Sequence, residues 1–128
     1  IQLALTAAET GHLVFGTLHT NSAPSTINRI IDVFPPEQQE QVRSQIASTL
    51  RCVITQKLLK RIDKAGRVAA FEIMICNTAI RNLIRENKVF QIANSMQMGK
   101  AEGQMLMENS LKDLIAQKAI SPADAEID

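Results

Sequence analysis

Tryptophan and tyrosine are both missing from this sequence, and aromatic residues make up only 3% of it. Few rings are left to stack on unpaired bases, which argues against single-stranded nucleic-acid binding. The formal net charge is +1, too small for bulk attraction to nucleic acid or an anionic membrane. No apolar run approaches the roughly 20 residues that a bilayer-spanning helix needs. No charged stretch leading into an apolar one opens the chain, so export behind a cleaved signal is not expected. Cysteine is sparse: Cys52 and Cys76 lie far apart and in no Cys-x-x-Cys pair. Neither a disulfide framework nor a zinc ribbon is readable, and two reduced, buried thiols are expected. Also absent are the phosphate-cradling Gly-x-x-x-x-Gly-Lys-Ser/Thr loop, the Gly-x-Gly-x-x-Gly fingerprint and the nucleophile elbow.

What is present is a globular composition. Of the 128 residues, 45% are hydrophobic and 21% charged, enough for one domain that buries roughly two thirds of its unfolded surface. Residues 1–10 read as helix interior closed by Gly11 at a C-cap. A helix needs a start signal, and none precedes Ile1, so the sequence is expected to be a piece of a longer parent. Residues 12–19 read as a strand, and its run Leu13-Val14-Phe15 suggests cover on both faces, as in a parallel sheet. Pro24 suits a first helical position, with Ile27, Ile30, Ile31 and Phe34 on one stripe until Pro35-Pro36 stops the helix. A second helix follows from Glu37 to about Arg51, with Val42, Ile46 and Leu50 inward.

Two strands, 52–62 and 67–75, are expected to pair antiparallel across Asp63-Lys64-Ala65-Gly66. If Ile62 and Arg67 flank that turn, Cys52 falls about one position from the partner of Cys76. Helices only are expected thereafter. Asn77 or Thr78 caps one bearing Ile80, Leu83 and Ile84; Asn87 interrupts. Val89, Ile92, Ala93 and Met96 line the next, and Gly99 and Gly103 bracket a turn. Met107, Leu111, Leu114 and Ile115 line another helix, and Ser121-Pro122-Ala123-Asp124 opens a last short one. Charge is uneven. Residues 51–67 hold six basic side chains against Asp63 alone, and residues 101–128 hold six acids against Lys112 and Lys118. These are either solvated faces or opposite patches that meet between subunits.

The chain's only histidines, His12 and His19, bracket the presumed strand. Seven residues apart, they fall on opposite faces of a regular strand, which argues against a shared metal. Either can be an ordinary hydrogen-bonded residue. His19 is the stronger functional candidate, because it ends the strand beside Thr20, Asn21 and Ser22, and ligands of open α/β sheets bind outside carboxyl ends. The second feature is Ala79-Ile80-Arg81-Asn82-Leu83-Ile84-Arg85-Glu86. Arg81 and Arg85 share a helical face, where like charges repel slightly. The pair is either solvated or a docking face for paired guanidinium groups.

These residues carry a resemblance. GHLVFGTLHTNSA resembles the histidine box of the secretion-superfamily ATPases, and AIRNLIRE resembles the signature of the type IV pilus retraction ATPases, the PilT family. RIIDVFPPEQQ and GRVAAFEIMI resemble that family too, so the match covers essentially the whole chain. The resemblance implies the C-terminal part of a RecA-like P-loop ATPase domain, α/β with a partial parallel sheet and a β-hairpin, followed by an all-helical end. On that basis residues 1–76 would be the remainder of the ATPase core and 77–128 the helical region. It implies a cytoplasmic homo-hexamer at the inner membrane face, contacting a platform protein and using ATP with Mg²⁺ to power pilus retraction and twitching. It further implies that His19, less surely His12, senses the γ-phosphate, with Thr20 at the nucleotide and Ala79–Glu86 coupling movement to load. Family members carry Walker A, acidic box and Walker B upstream of the histidine box, and this chain has none of them, so it is expected not to hydrolyse ATP alone. Assembly and type II secretion ATPases insert a four-cysteine site here; Lys57-Leu58-Leu59-Lys60 runs straight into the hairpin instead. That favours retraction. The alternatives are a sister motor for assembly or secretion, or a non-enzymatic interaction module.

Overall fold

The computed structural model describes residues 1–125. It holds helices α1 (Gln2–Glu9), α2 (Ala23–Asp32) and α3 (Pro36–Thr49), then strands β1 (Cys52–Lys60) and β2 (Arg67–Ile75). Helices α4 (Thr78–Arg85), α5 (Ile92–Met98), α6 (Met107–Ala116) and α7 (Pro122–Ala125) follow, with short 3₁₀ turns at Val89–Gln91 and Lys100–Glu102. No helix among the described residues is long and apolar enough to cross a membrane.

The helices sit where periodicity and capping put them. Ser22 caps α2 by accepting from the Ser25 amide at 3.2 Å, with Pro24 in its first turn. Asn77 caps α4 by accepting from the Ile80 amide at 2.9 Å. Three helices close with the same paired bonds from the two residues after the C-cap. Gly11, Asn87 and Lys118 take the left-handed conformation there, at φ +94°, +59° and +59°. At α1 the Gly11 amide reaches the carbonyl of Ala8 and the His12 amide that of Ala7. Ala93, expected on the apolar stripe of α5, is exposed, whereas Val89, Ile92 and Met96 are buried.

Two expectations for the strands are corrected. Residues 12–19 form no strand. A strand is held by a neighbour's ladder, and the only sheet among the described residues is the antiparallel pair β1–β2. The α/β class holds, but no parallel sheet is present in those residues, and Gly11–His19 are exposed throughout. The hairpin register also differs. It runs from Lys60↔Arg67 to Cys52↔Ile75, so the loop is six residues, Arg61 to Gly66, and Ile62 lies outside the ladder. The Ile62 amide is spent instead on the carbonyl of Ala119 at 2.8 Å, and a two-bonded Arg61–Asp63 pair stiffens the loop. Cys52 pairs with Ile75, one step from Cys76, so the thiols point to opposite faces: Cys52 exposed, Cys76 buried.

The principal core gathers Ile27 and Ile31 of α2, Val42, Ile46 and Ala47 of α3, Met74 and Cys76 of the hairpin end, and Ile80, Ile84, Ile92 and Met96 of the helices beyond. It is therefore continuous across position 76. A smaller cluster joins Leu59 and Ala70 of the hairpin to Leu111 and Ile120. The outer edge of β2 is closed by side chains and a bridge rather than by a third strand. The Gln104 amide group bonds both the N–H and the C=O of Ile75 at 2.7 Å, Met105 bridges Ile73, and Ser110 accepts from the Phe71 amide. Over Phe71 to Ile75 the edge is thus occupied and closed to pairing with another chain.

Candidate functional site

His19 stands exposed at the end of the irregular segment 12–19, with three residues between it and the first residue of α2. With Thr20, Asn21, Ser25, Asn28, Arg29, Asp32 and Val33 it lines an open concavity of about 500 Å³. The imidazole, the guanidinium and the two amides facing this open hollow can donate to a phosphate oxygen, with the Asp32 carboxylate the one anionic group on the same rim. Asn28, Arg29 and Asp32 escaped the reading of the sequence. The signal was available, since positions 25, 28, 29 and 32 recur at helical spacing on the face opposite Ile27 and Ile31.

Thr20 is half-buried, and its hydroxyl lies 2.5 Å from that of Thr26. Thr26 in turn donates to the carbonyl of Ser22 at 2.8 Å. A hydroxyl carries one hydrogen, so Thr20 donates to Thr26 and keeps only lone pairs for a ligand. The same chain of hydroxyls ties the segment before α2 to the helix's first turn.

His12 does not join His19. Its backbone amide is part of the closure of α1, and its Nδ1 lies 3.2 Å from the carbonyl oxygen of Ala7 and 3.3 Å from the Thr10 hydroxyl. In the tautomer protonated at Nδ1 the ring donates to that carbonyl, where the α1 dipole is negative. No hydrogen bond links the two histidines, and His12 is not among the residues lining the hollow.

The segment Ala79–Glu86 lies on α4 and its C-cap. Ile80 and Ile84 are fully buried and Leu83 half-buried. The two arginines were expected to point outward together, and the structure corrects this. Arg81 turns back onto α3 and donates from its guanidinium to the carbonyl of Ala47. That carbonyl belongs to the last turn of α3, where four acceptors lack helical partners. Arg85 alone is exposed, donating to the Asn82 side-chain oxygen at 3.0 Å. Beneath α4, burial pushes the Cys76 thiol up to about 11, against a smaller opposing pull from Arg81. Among the described residues no group of His, Cys, Asp and Glu could hold a metal ion.

Glu72 is the buried carboxylate that the sequence reading passed over. It faces the core from β2, opposite Thr55, at 6% exposure. Its Oε2 accepts from the Ala23 amide at 2.7 Å and its Oε1 from the Met107 amide at 3.3 Å. A charge in the alternation Ala70, Glu72, Met74, Cys76 was the available sign.

The family model described as "Type II/IV secretion system protein" matches residues 1–124. A twitching motility protein of Neisseria gonorrhoeae is 56% identical over 125 residues, covering 98% of this chain and 33% of that protein. The type IV pilus retraction ATPase PilT of Pseudomonas aeruginosa is 55% identical over 125 residues, covering 98% and 36%. A crystal structure of the pilus retraction motor PilT with bound ADP superposes with a TM-score of 0.88 at 52% identity, covering 98% of this chain and 34% of that one. The chain thus spans about a third of the length of the curated relatives it matches. With the family model matched along almost all of its length, the chain belongs to the type II/IV secretion system protein family.

Proposed function

We propose that these residues are the C-terminal portion of a pilus retraction ATPase, which hydrolyses Mg-ATP to power pilus retraction and twitching motility. The observation that carries this is the 55% identity to a retraction ATPase over 98% of the chain. An assembly ATPase of the same organism, PilB, is 34% identical over only 48% of the chain. That contrast favours retraction over assembly, as does the lack of a four-cysteine site at the hairpin. The phosphate cradle and the Mg²⁺-holding acids would come from residues outside these 128. What this chain offers the nucleotide is the hollow beside His19, whose donors suit a phosphate oxygen. His19 would sense or position the γ-phosphate, with Thr20 beside it at the nucleotide. His12 would act on the site only through the end of α1. The helix carrying Ala79–Glu86 would couple movement to load through Arg85, held on α3 by Arg81. The assembled state would be a cytoplasmic homo-hexamer at the inner membrane face, working against a platform protein. Division into an ATPase remainder, 1–76, and a helical region, 77–128, would then be functional, since one core spans both.

The test is the full-length protein bearing these residues, assayed for ATP hydrolysis and for restoration of twitching to a retraction-deficient strain. His19→Ala should slow turnover, and Arg85→Ala should abolish twitching while leaving substantial hydrolysis. Restoration of pilus assembly instead of retraction would sink the assignment.

A further inference from the structure

Glu72 is tied to the site by its hydrogen bonds, and those bonds suggest what it does. Its two carboxylate oxygens each take the amide of the first residue of a helix, Ala23 of α2 and Met107 of α6. These are amides that a helix leaves without internal partners. The Leu106 N-cap of α6 makes no side-chain cap bond, so Glu72 supplies one from 35 residues away. Both helices also present their positive ends to the carboxylate, which offsets the cost of burying a charge.

The α2 contact matters for the hollow. Only three residues separate His19 from Ala23, and the bonds from the Thr20 hydroxyl to that of Thr26, and from Thr26 to the Ser22 carbonyl, lock that short link to the first turn of α2. Wherever the start of α2 is held, His19 is held. The start of α2 is held by Glu72, from a strand that is itself anchored in the hairpin.

We propose that Glu72 is a positioning residue for His19, clamping the first turn of α2 so that the imidazole stands at a set place above the nucleotide. The proposal rests on the reading of His19 as the γ-phosphate sensor. Glu72→Gln is the informative change. The amide keeps one acceptor, turns a donor toward the other helix's N–H, and removes the charge from both helix ends. A displaced imidazole lowers turnover without weakening the remote contacts that bind the nucleotide.

The experiment measures ATP hydrolysis by the full-length protein, with melting temperature and assembled size checked for each variant. Glu72→Gln is expected to lower kcat about tenfold with KM for ATP within about twofold. In a His19→Ala background it should cause no further loss, because the two changes act through one imidazole. Met107→Pro takes the α6 amide from Glu72 while leaving the Ala23 bond in place, at a first helical position that tolerates proline, after a Leu106 already extended at φ −79°, ψ 146°; the Met107 side chain lost with it packs on the smaller cluster, away from His19. This change should leave kcat within about twofold. If Glu72→Gln does not assemble, Glu72→Asp, which withdraws the carboxylate by one methylene, is read in the same way. Full multiplication of the Glu72 and His19 effects, or a raised KM with kcat intact, would overturn the proposal. So would a wild-type rate in Glu72→Gln beside an impaired His19→Ala. A wild-type protein without ATPase activity, or a His19→Ala variant at full turnover, would instead remove the underlying reading and this proposal with it.

Discussion

Replacing Arg81 with alanine is expected to loosen the end of α3, and replacing Arg85 is not. The Arg81 guanidinium donates to the carbonyl of Ala47, 34 residues away and in the final turn of α3. Removing it leaves that carbonyl without a partner and takes a cation from the negative end of the helix. Net values of about 1.5–3 kcal/mol apply to hydrogen bonds with a charged partner. Arg81 is only half-buried, so solvent competes, and a loss of about 1–2 kcal/mol is the reasonable expectation. Arg85 is exposed and bonds only its own helix neighbour Asn82, so Arg85→Ala should stay within about 0.5 kcal/mol. Arg81→Lys should recover part of the loss, because the charge at the helix end remains. Urea denaturation followed by circular dichroism gives the comparison, provided the slope is the same for all variants. A second readout is independent. Arg81 pulls the Cys76 thiol down against its burial, so in Arg81→Ala the thiol should titrate still higher and alkylate more slowly. Equal midpoint shifts for the two alanine variants, or no shift for Arg81→Ala, would refute the assignment of Arg81 to the α3 terminus.

Three further outcomes are expected. Ile84→Ala should destabilise by about 2–5 kcal/mol as a fully buried side chain is removed, whereas half-buried Leu83→Ala should cost clearly less; denaturant midpoints decide it. The Cys76 contribution to stability should be constant below pH 9 and fall between about 9 and 11, since the thiol, raised to about 11 from 9.0, ionises in the unfolded chain before it does in the folded one. Cys76→Ala should flatten that limb of a pH-dependent melt. Gly103 sits at φ +98° with space for a Cβ only 2.9 Å from the Ile75 side chain, so Gly103→Ala should cost at least about 1–2 kcal/mol by thermal melt.

Local rules made much of this protein legible. The stripes Ile27–Ile31, Val42–Ile46, Ile80–Ile84 and Ile92–Met96 lie in the core as their spacing requires. Ser22 and Asn77 cap α2 and α4, and Gly11 and Asn87 end α1 and α4. The hairpin's two strands and their antiparallel sense were legible for the same reason, since alternation and a Gly-bearing loop are properties of neighbouring residues. His19 could be singled out because it follows an apolar run and precedes a helix start. None of these features depends on what lies far along the chain.

Tertiary structure decided the rest, and in each case the deciding partner is distant in sequence. Residues 12–19 have strand composition but form no strand, because β structure is completed by a neighbour's ladder and not by its own residues. Ile62 left the expected register because Ala119 offered its amide a carbonyl. Arg81 left the solvent because α3 ends beside α4 with an unpaired carbonyl. Glu72 is intelligible only once α2 and α6 are seen to begin at its two oxygens, 49 and 35 residues away. Periodicity tells which side of an element is buried; it carries no information about which polar groups the fold will bring to that side, and hydrogen bonding at short range is where such meetings take effect.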